Sequence, residues 1–337
     1  MMPSPETQDA FPHKGFPSGW FQVAWADELA VGDVRPLHYF NRDLVLYRGR
    51  SGYHVLDAHC RHMGAHLGHG GTVVGDSIVC PYHGWRWGAD GRNELVPLEK
   101  KATDRCRMGA WETVVANQIV WVWYDAAGRP PLFEGPVDLP GVAEGERYNV
   151  YPHCAKAWRK VKTRPQYIPE NNVDVEHLRW IHKAKGPIET TRLDVDGYKM
   201  QIANNITYGF GKTATRLTPD GPIVVEVCAE LWGMGFQYTF FPQPDSAVSI
   251  QAQTPVDDDH CDMFQSVLVL GEEGFDRTAE PEAIAAARVR EQFVQIERDI
   301  PIWENMQYIA NASLSPQEEK AMTIVRQWAE RFYPEDA

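Results

Sequence analysis

Two short segments of this chain, CRHMGAHLGHGG beginning at Cys60 and CPYHGWRW beginning at Cys80, each carry a cysteine followed closely by a histidine. Together Cys60, His62, Cys80 and His83 form a Cys-x-His…Cys-x-x-His pattern with seventeen residues between the pairs. The pattern constrains the fold strongly, because both loop tips must meet, and a few short antiparallel strands bring them together economically. Two thiolates and two imidazoles satisfy a tetrahedral zinc ion. They also satisfy a two-iron cluster in which one iron takes the thiolates and the other the histidines. The surroundings favour the cluster: tips rich in Gly and Pro fold tightly and aim N–H groups at bridging sulfides, which a single zinc does not require. Exchanging two of four cysteines for histidine makes such a cluster less negative and lifts its potential to roughly −150 to +300 mV, which suits an electron relay.

A relay needs a destination, and the chain has room for one. Its 337 residues suffice for two domains, and 43% hydrophobic composition with 12 Trp can fill sizeable cores. The first part reads as strands: GWFQVAWADEL, VRPLHYFNRDLVLYRG, YHVLDAHC, TVVGDSIVC and ETVVANQIVWVWYD are β-branched and aromatic runs cut by Gly, Asp and Asn. The stretch AAGRPPLFEGPVDLPG then reads as a linker. The expected organisation is a flexible tail over 1–17, an all-β cluster domain over 18–127, a linker over 128–145 and a second domain over 146–337. No apolar run is long enough to span a bilayer, and the N-terminus lacks the basic start and apolar core of a signal peptide. Cys106, Cys154, Cys228 and Cys261 are scattered and read as buried thiols of a reducing, cytoplasmic compartment. A net charge of −13 argues against general nucleic-acid binding.

The second constellation is PENNVDVEHLRWIH, residues 169–182. His177 and His182 are candidate ligands for ferrous iron, with Asp174 three residues before the first. Two histidines and one carboxylate on one face of the metal leave positions open for O2. Residues five apart point about 140° apart on an ideal helix, so the helix is expected to end, bulge or bend between Leu178 and Ile181 if both rings face one metal. Taken alone, two such histidines are as readily ordinary core or surface groups; the upstream cysteine–histidine motif gives them a purpose.

The two motifs together resemble those of a Rieske non-heme iron oxygenase, with the similarity running from about Gly19 to the end. The resemblance implies an α+β chain: an N-terminal all-β Rieske domain, then a helix-grip (START-like) catalytic domain whose antiparallel sheet and helices enclose the substrate. TYGFGKTATRL, IVVEVCAELW, GFQYTFFPQP and DMFQSVLVLG suit its strands. It implies a third iron ligand downstream, for which Asp299 in ERDIPIWENMQ stands in the matching place, with Glu297 and Glu304 as other carboxylates nearby. Ile296, Ile300, Ile302 and Trp303 give Asp299 an apolar setting in which a carboxylate needs a partner. It implies that Asp174 bridges His177 to His62 or His83 of a neighbouring subunit in a head-to-tail homotrimer, and that Asn171 supports the iron site. It also implies reductive O2 activation fed by NAD(P)H through a separate ferredoxin or flavin reductase, since Gly-x-Gly-x-x-Gly is absent.

Within that family, GWFQVAWADELAVGDVRPLHYFNRDLVLYR, AHLGHGG, HGWRWGADGRN and ERDIPIWENMQ are similar to the ketosteroid 9α-hydroxylase and cholesterol 7-desaturase group. This implies a terminal monooxygenase that hydroxylates or desaturates a bulky hydrophobic, steroid-like substrate. Aromatic or methoxy-aromatic demethylation within the family is the alternative, and an electron carrier fused to a ligand-binding domain is the more distant one. Strand alternation puts Phe236, Tyr238 and Phe240 on one face, and with Trp232 they are the expected substrate pocket. KAWRKVKTR concentrates Lys156, Arg159, Lys160, Lys162 and Arg164, a candidate docking surface for an acidic ferredoxin beside the plainer reading of a solvated face.

Overall fold

The computed structural model describes residues 11–334. Its N-terminal part holds β1 (Gly19–Trp25), β2 (Val34–Tyr39), β3 (Arg42–Arg48), β4 (Tyr53–Asp57), β5 (Thr72–Val74), β6 (Ser77–Val79), β7 (Arg86–Trp87), β8 (Asn93–Leu95), β9 (Ala110–Trp111), β10 (Thr113–Ala116) and β11 (Ile119–Tyr124). They pair into antiparallel sheets ordered β1-β11-β10, β2-β3-β4-β9 and β5-β6-β7-β8. Two-residue hairpin loops need mirror-image turns to match strand twist. Phe40 and Asn41 between β2 and β3, and Asn117 and Gln118 between β10 and β11, supply them with positive φ.

Beyond residue 145 the chain forms β12 (Ala155–Lys162), β13 (Ile188–Asp196), β14 (Lys199–Tyr208), β15 (Ile223–Trp232), β16 (Phe236–Phe241), β17 (Ala247–Pro255) and β18 (His260–Leu268). These make one antiparallel sheet in the order β12-β18-β17-β16-β15-β14-β13. Helices α1 (Tyr167–Val173) and α2 (His177–Trp180) fall between β12 and β13, while α3 (Ala283–Trp303) and α4 (Pro316–Ala329) follow the sheet. The fold is α+β, as expected. Two strand expectations change in detail. β14 ends at Tyr208, and residues 209–217 of TYGFGKTATRL run through turns and bends instead of continuing the strand. β17 was absent from the expected runs because AVSIQAQTP alternates Ser and Gln with apolar residues, although all nine positions are buried.

The cluster domain and the large sheet share a core. Trp20, Phe21 and Trp121 belong to one packed cluster with Phe236, Ile250 and Phe264. The Trp121 and Phe236 rings lie 4.8 Å apart, and the Trp25 indole donates to Ser266 Oγ at 2.8 Å. The stretch expected as a linker is strapped down as well: the Asn117 side chain donates to the Val137 carbonyl and accepts from the Leu139 N–H. Of the expected flexible tail, residues 1–10 lie outside the described residues, while Phe11, Phe16 and Pro17 in the remainder pack against the body. Phe16 is buried, and Phe11 meets Tyr308 edge-on at 5.2 Å, because large aromatic groups gain most by leaving water.

This shared core decides which way the sheet faces. Phe236, Tyr238, Ile250, Ala252 and Phe264 point toward the cluster domain. Their odd-numbered neighbours on β16, β17 and β18 point to the opposite face, as strand alternation demands.

Candidate metal centres

The two motif loops are built alike. The Cys60 N–H donates to the Ala65 carbonyl and the Gly64 N–H to the Cys60 carbonyl; the Cys80 N–H donates to the Trp85 carbonyl and the Gly84 N–H to the Cys80 carbonyl. Gly64 and Gly84 hold φ of 76° and 69°, a left-handed turn that a side chain would strain. Each loop thereby becomes a tight knuckle around its cysteine. Cys60 and Cys80 are buried side by side, while His62 and His83 sit at the exposed tips with ring centroids 4.7 Å apart. His62 stacks on Trp85 at 4.6 Å, and the buried Trp87 indole donates to Cys60 Sγ at 3.3 Å.

The donor chemistry fits a two-iron cluster: a buried thiol pair on one side, an imidazole pair on the other. A zinc ion needs all donors converging on one point. Among the described residues, the triad whose donor atoms lie within 4.8 Å of one another is instead His177, His182 and Asp299.

That triad is assembled by a broken helix and a straight one. α1 ends at Val173, Asp174 leaves helical geometry with ψ of 90°, and α2 covers only His177–Trp180 before the chain turns at Ile181. The end expected between Leu178 and Ile181 falls after Trp180, and a second break, at Asp174, precedes His177. Together they bring the His177 and His182 rings to 4.9 Å, nearly perpendicular. α3 supplies Asp299 from its last turns, 5% exposed, with Oδ1 3.4 Å from His182 Nε2. Glu297 is paired with Lys156 and Glu304 is not in the triad. Burial lowers the His177 pKa, which keeps the imidazole neutral and able to ligate.

Asp174 and Asn171 both touch His177, though Asp174 does so differently from the expectation. The ring Nδ1 of His177 meets the Asp174 main-chain carbonyl, while the Asp174 carboxylate accepts from the backbone N–H of Glu176 at 3.1 Å and of His177 at 3.3 Å. The cause is local: three residues apart across a turn, the carbonyl reaches the ring and the carboxylate folds back on the N–H groups that follow it. Asn171 Nδ2 lies 3.3 Å from His177 Nε2.

The triad opens into a cavity of about 580 Å³, within the usual range for a ligand site. Among the described residues none before Ile168 lines it, so the cluster loops of the same chain take no part. Trp232, Phe236, Tyr238 and Phe240 do not line it either. They pack into or against the core shared with the cluster domain, because the more apolar face of the sheet is the one the other domain covers. Gln237, Thr239 and Phe241 of β16 face the cavity instead, with Ser249, Gln251 and Gln265 from the neighbouring strands. From α3 come Glu291, Gln292, Gln295 and Ile296. The strand alternation was right and the choice of face was not; the signal was in FQYT, SIQAQ and FQSV, where Gln recurs in otherwise apolar strands.

Behind the cavity, the fully buried Arg288 holds the Asp245 carboxylate through Nε at 3.0 Å and Nη2 at 2.9 Å, and Glu291 through Nη1 at 2.8 Å. Burial alone would lower its pKa, but these carboxylates outweigh it and push it above the ordinary arginine value. Burial pushes Glu291 up against the pull of Arg288. The candidate docking patch, by contrast, is largely neutralised: Lys156 pairs with Glu297, Arg159 with Asp262 and Arg164 with Asp259.

Fold and sites together define a Rieske oxygenase. Residues 19–115 match the Rieske [2Fe-2S] domain, and the solved structure of dicamba monooxygenase bound to dicamba superposes with a TM-score of 0.70 over 94% of this chain and 98% of that one, at 17% identity. Residues 122–333 match the 3-ketosteroid 9alpha-hydroxylase C-terminal domain, so the chain belongs to that family and is an oxidoreductase, a terminal oxygenase component. It is similar to the 3-ketosteroid-9-alpha-monooxygenase oxygenase component of Rhodococcus rhodochrous, at 28% identity over 94% of this chain and 80% of that protein. It is likewise similar to cholesterol 7-desaturase of Bombyx mori, at 27% identity over 95% of this chain and 70% of that protein. Among the described residues no helix is long and apolar enough to cross a membrane.

Proposed function

We propose that this oxygenase component binds a mononuclear ferrous iron through His177, His182 and Asp299 and oxidises a steroid-like polycycle held in the cavity beside them. The observation that carries this reading is the triad itself, two histidines and one buried carboxylate opening on a ligand-sized cavity. Loaded with its Rieske cluster, iron and electrons from a separate NAD(P)H-dependent reductase, such a site supplies O2 activation and attack on a C–H bond. The chain's own share is positioning. The Asp174 carbonyl orients the His177 ring and so fixes which nitrogen faces the cavity. α1, α3 and the sheet surround the substrate and keep bulk water from it.

We assign the electron entry to a neighbouring subunit of a homotrimer. The exposed tips carrying His62 and His83 also present Met63 and Tyr82, 64% and 62% exposed, and the segment of His177 and His182 presents Trp180, 73% exposed. Apolar groups left in water at both sites suit a head-to-tail contact in which Asp174 lies between His177 and a cluster histidine. Outside the cluster motif Cys154 and Cys261 are deeply buried, while Cys106 and Cys228 are half-buried instead of buried as expected; all four are free thiols, which suits the cytoplasm.

Reconstitution with a surrogate reductase tests the whole reading. A panel of steroids, other terpenoids and methoxy-aromatics is expected to show substrate-dependent O2 uptake and an oxidised product with the polycycles; uptake with the methoxy-aromatics alone would transfer the assignment to a demethylase. Trp87 offers a separate check on the cluster. Its N–H spreads the negative charge of the Cys60 sulfur, so Trp87→Phe is expected to lower the cluster potential by on the order of tens of millivolts in a redox titration followed by electron resonance.

A further inference from the structure

The cavity face of the sheet is not uniform. On β14 and β15 the aliphatic Ile202, Ile206, Val227 and Ala229 stand beside Asn204, Thr207 and Tyr208. On β16, β17 and β18 it turns to amide. Gln237 stands directly opposite Gln251, and Gln251 directly opposite Gln265, so three glutamines form one row across three adjacent strands. With neighbouring strands about 4.8 Å apart, the row spans about 10 Å of cavity wall. All three are buried, at 6%, 8% and 1% exposure.

Glutamine is a costly choice for a buried strand position unless its amide is satisfied. In this row it is satisfied only in part. Gln237 is paired with Asn172 at 2.7 Å, and Gln265 Nε2 donates to Ser249 Oγ while its Oε1 is left without a partner. The Gln251 side chain makes no hydrogen bond among the described residues. Facing the row across the cavity, α3 adds Gln295, whose Oε1 is also buried and unpartnered. Amides present both N–H donors and C=O acceptors, so Gln251 and the N–H end of Gln295, neither hydrogen-bonded among the described residues, match hydroxyl and oxo groups alike.

We infer that the substrate is a polycycle carrying several oxygen functions on its ring body, bound with the oxygenated part between Gln251 and Gln295 and the hydrocarbon part over the aliphatic positions of β14 and β15. The inference rests on the proposed function above and narrows its substrate class. It departs from a plain sterol, whose single oxygen would leave one of these two amides unpaired. A site built to hydrogen-bond rejects the analogue that lacks the group, whereas an apolar pocket barely distinguishes the two. Discrimination should therefore run in favour of the more oxygenated molecule.

Direct binding to the cluster- and iron-loaded protein, without reductase, tests this by calorimetry. The probes are a steroid with one ring hydroxyl and a steroid of the same skeleton with three. The triol is expected to bind at least about tenfold more tightly, and Gln251→Met, which keeps chain length and removes the amide, is expected to erase about tenfold of that preference while changing the mono-ol by less than about twofold. Wild-type binding of the mono-ol equal to or tighter than the triol overturns the inference, as does equal weakening of both by the variant or binding of neither. Selective triol binding with no O2 uptake once reductase is added leaves the substrate class standing and removes the proposed oxidation.

Discussion

His177→Ala is expected to reduce substrate-dependent O2 uptake to below about a hundredth of the wild-type rate and to release one iron per chain, while the visible and electron-resonance spectra of the cluster persist. The separation of effects follows from the architecture. His177 lies on a one-turn helix of the second domain, next to Asp174 and Asn171, and none of the cavity wall comes from the cluster loops. Removing its imidazole leaves Cys60, Cys80, His62 and His83 in their own knuckles. Asp299→Ala should behave the same way, because that carboxylate is buried beside His182 at the end of α3. Disappearance of the cluster spectra in either variant would overturn the division into two independent metal centres.

Arg288→Ala is expected to cost about 3–5 kcal/mol of stability, read as a lower urea midpoint, since breaking a buried ion pair leaves charge without compensation. Here the uncompensated charges are Asp245 and Glu291, both held by this one guanidinium. The lost side chain also stacks on Phe241, with its guanidinium carbon 4.3 Å from the ring centroid, so packing is forfeited with the charge. Replacing Arg288 and Asp245 together by apolar residues should cost less than Arg288→Ala alone, because one buried orphan carboxylate is removed with its partner. A double variant less stable than the single one would mean that the pair contributes more than its own desolvation cost.

The parts of this molecule legible in the sequence were those set by neighbours along the chain. The cluster motif is a local spacing, and its Gly-rich tips announce the turns that Gly64 and Gly84 make. The end of the short helix after His177 followed from the angle between residues five apart. Asp299 was legible through the resemblance and through an apolar setting that a lone carboxylate does not tolerate.

What was not legible depends on which element covers which face. Alternation separates Phe236, Tyr238 and Phe240 from Gln237, Thr239 and Phe241, yet it cannot say which set meets the substrate. Hydrophobicity pointed to the aromatic set. The cluster domain claimed that set for a shared core, since burying large rings against Trp121 and Trp20 removes more apolar surface than lining a cavity would. The row of Gln237, Gln251 and Gln265 was hidden for a related reason, because its members are adjacent only through strand pairing across a sheet.

The sequence by itself determined the chemistry that this chain can carry: a thiolate–imidazole pair of loops, a second histidine pair beside a helix break, and two kinds of domain to hold them. Only the tertiary structure decided on which face of the sheet the cavity opens and which residues line it. Ligand spacing is written in covalent order, within reach of a turn, whereas a cavity wall is composed of residues far apart in the chain that meet when one domain packs on one face of a sheet and leaves the other face open.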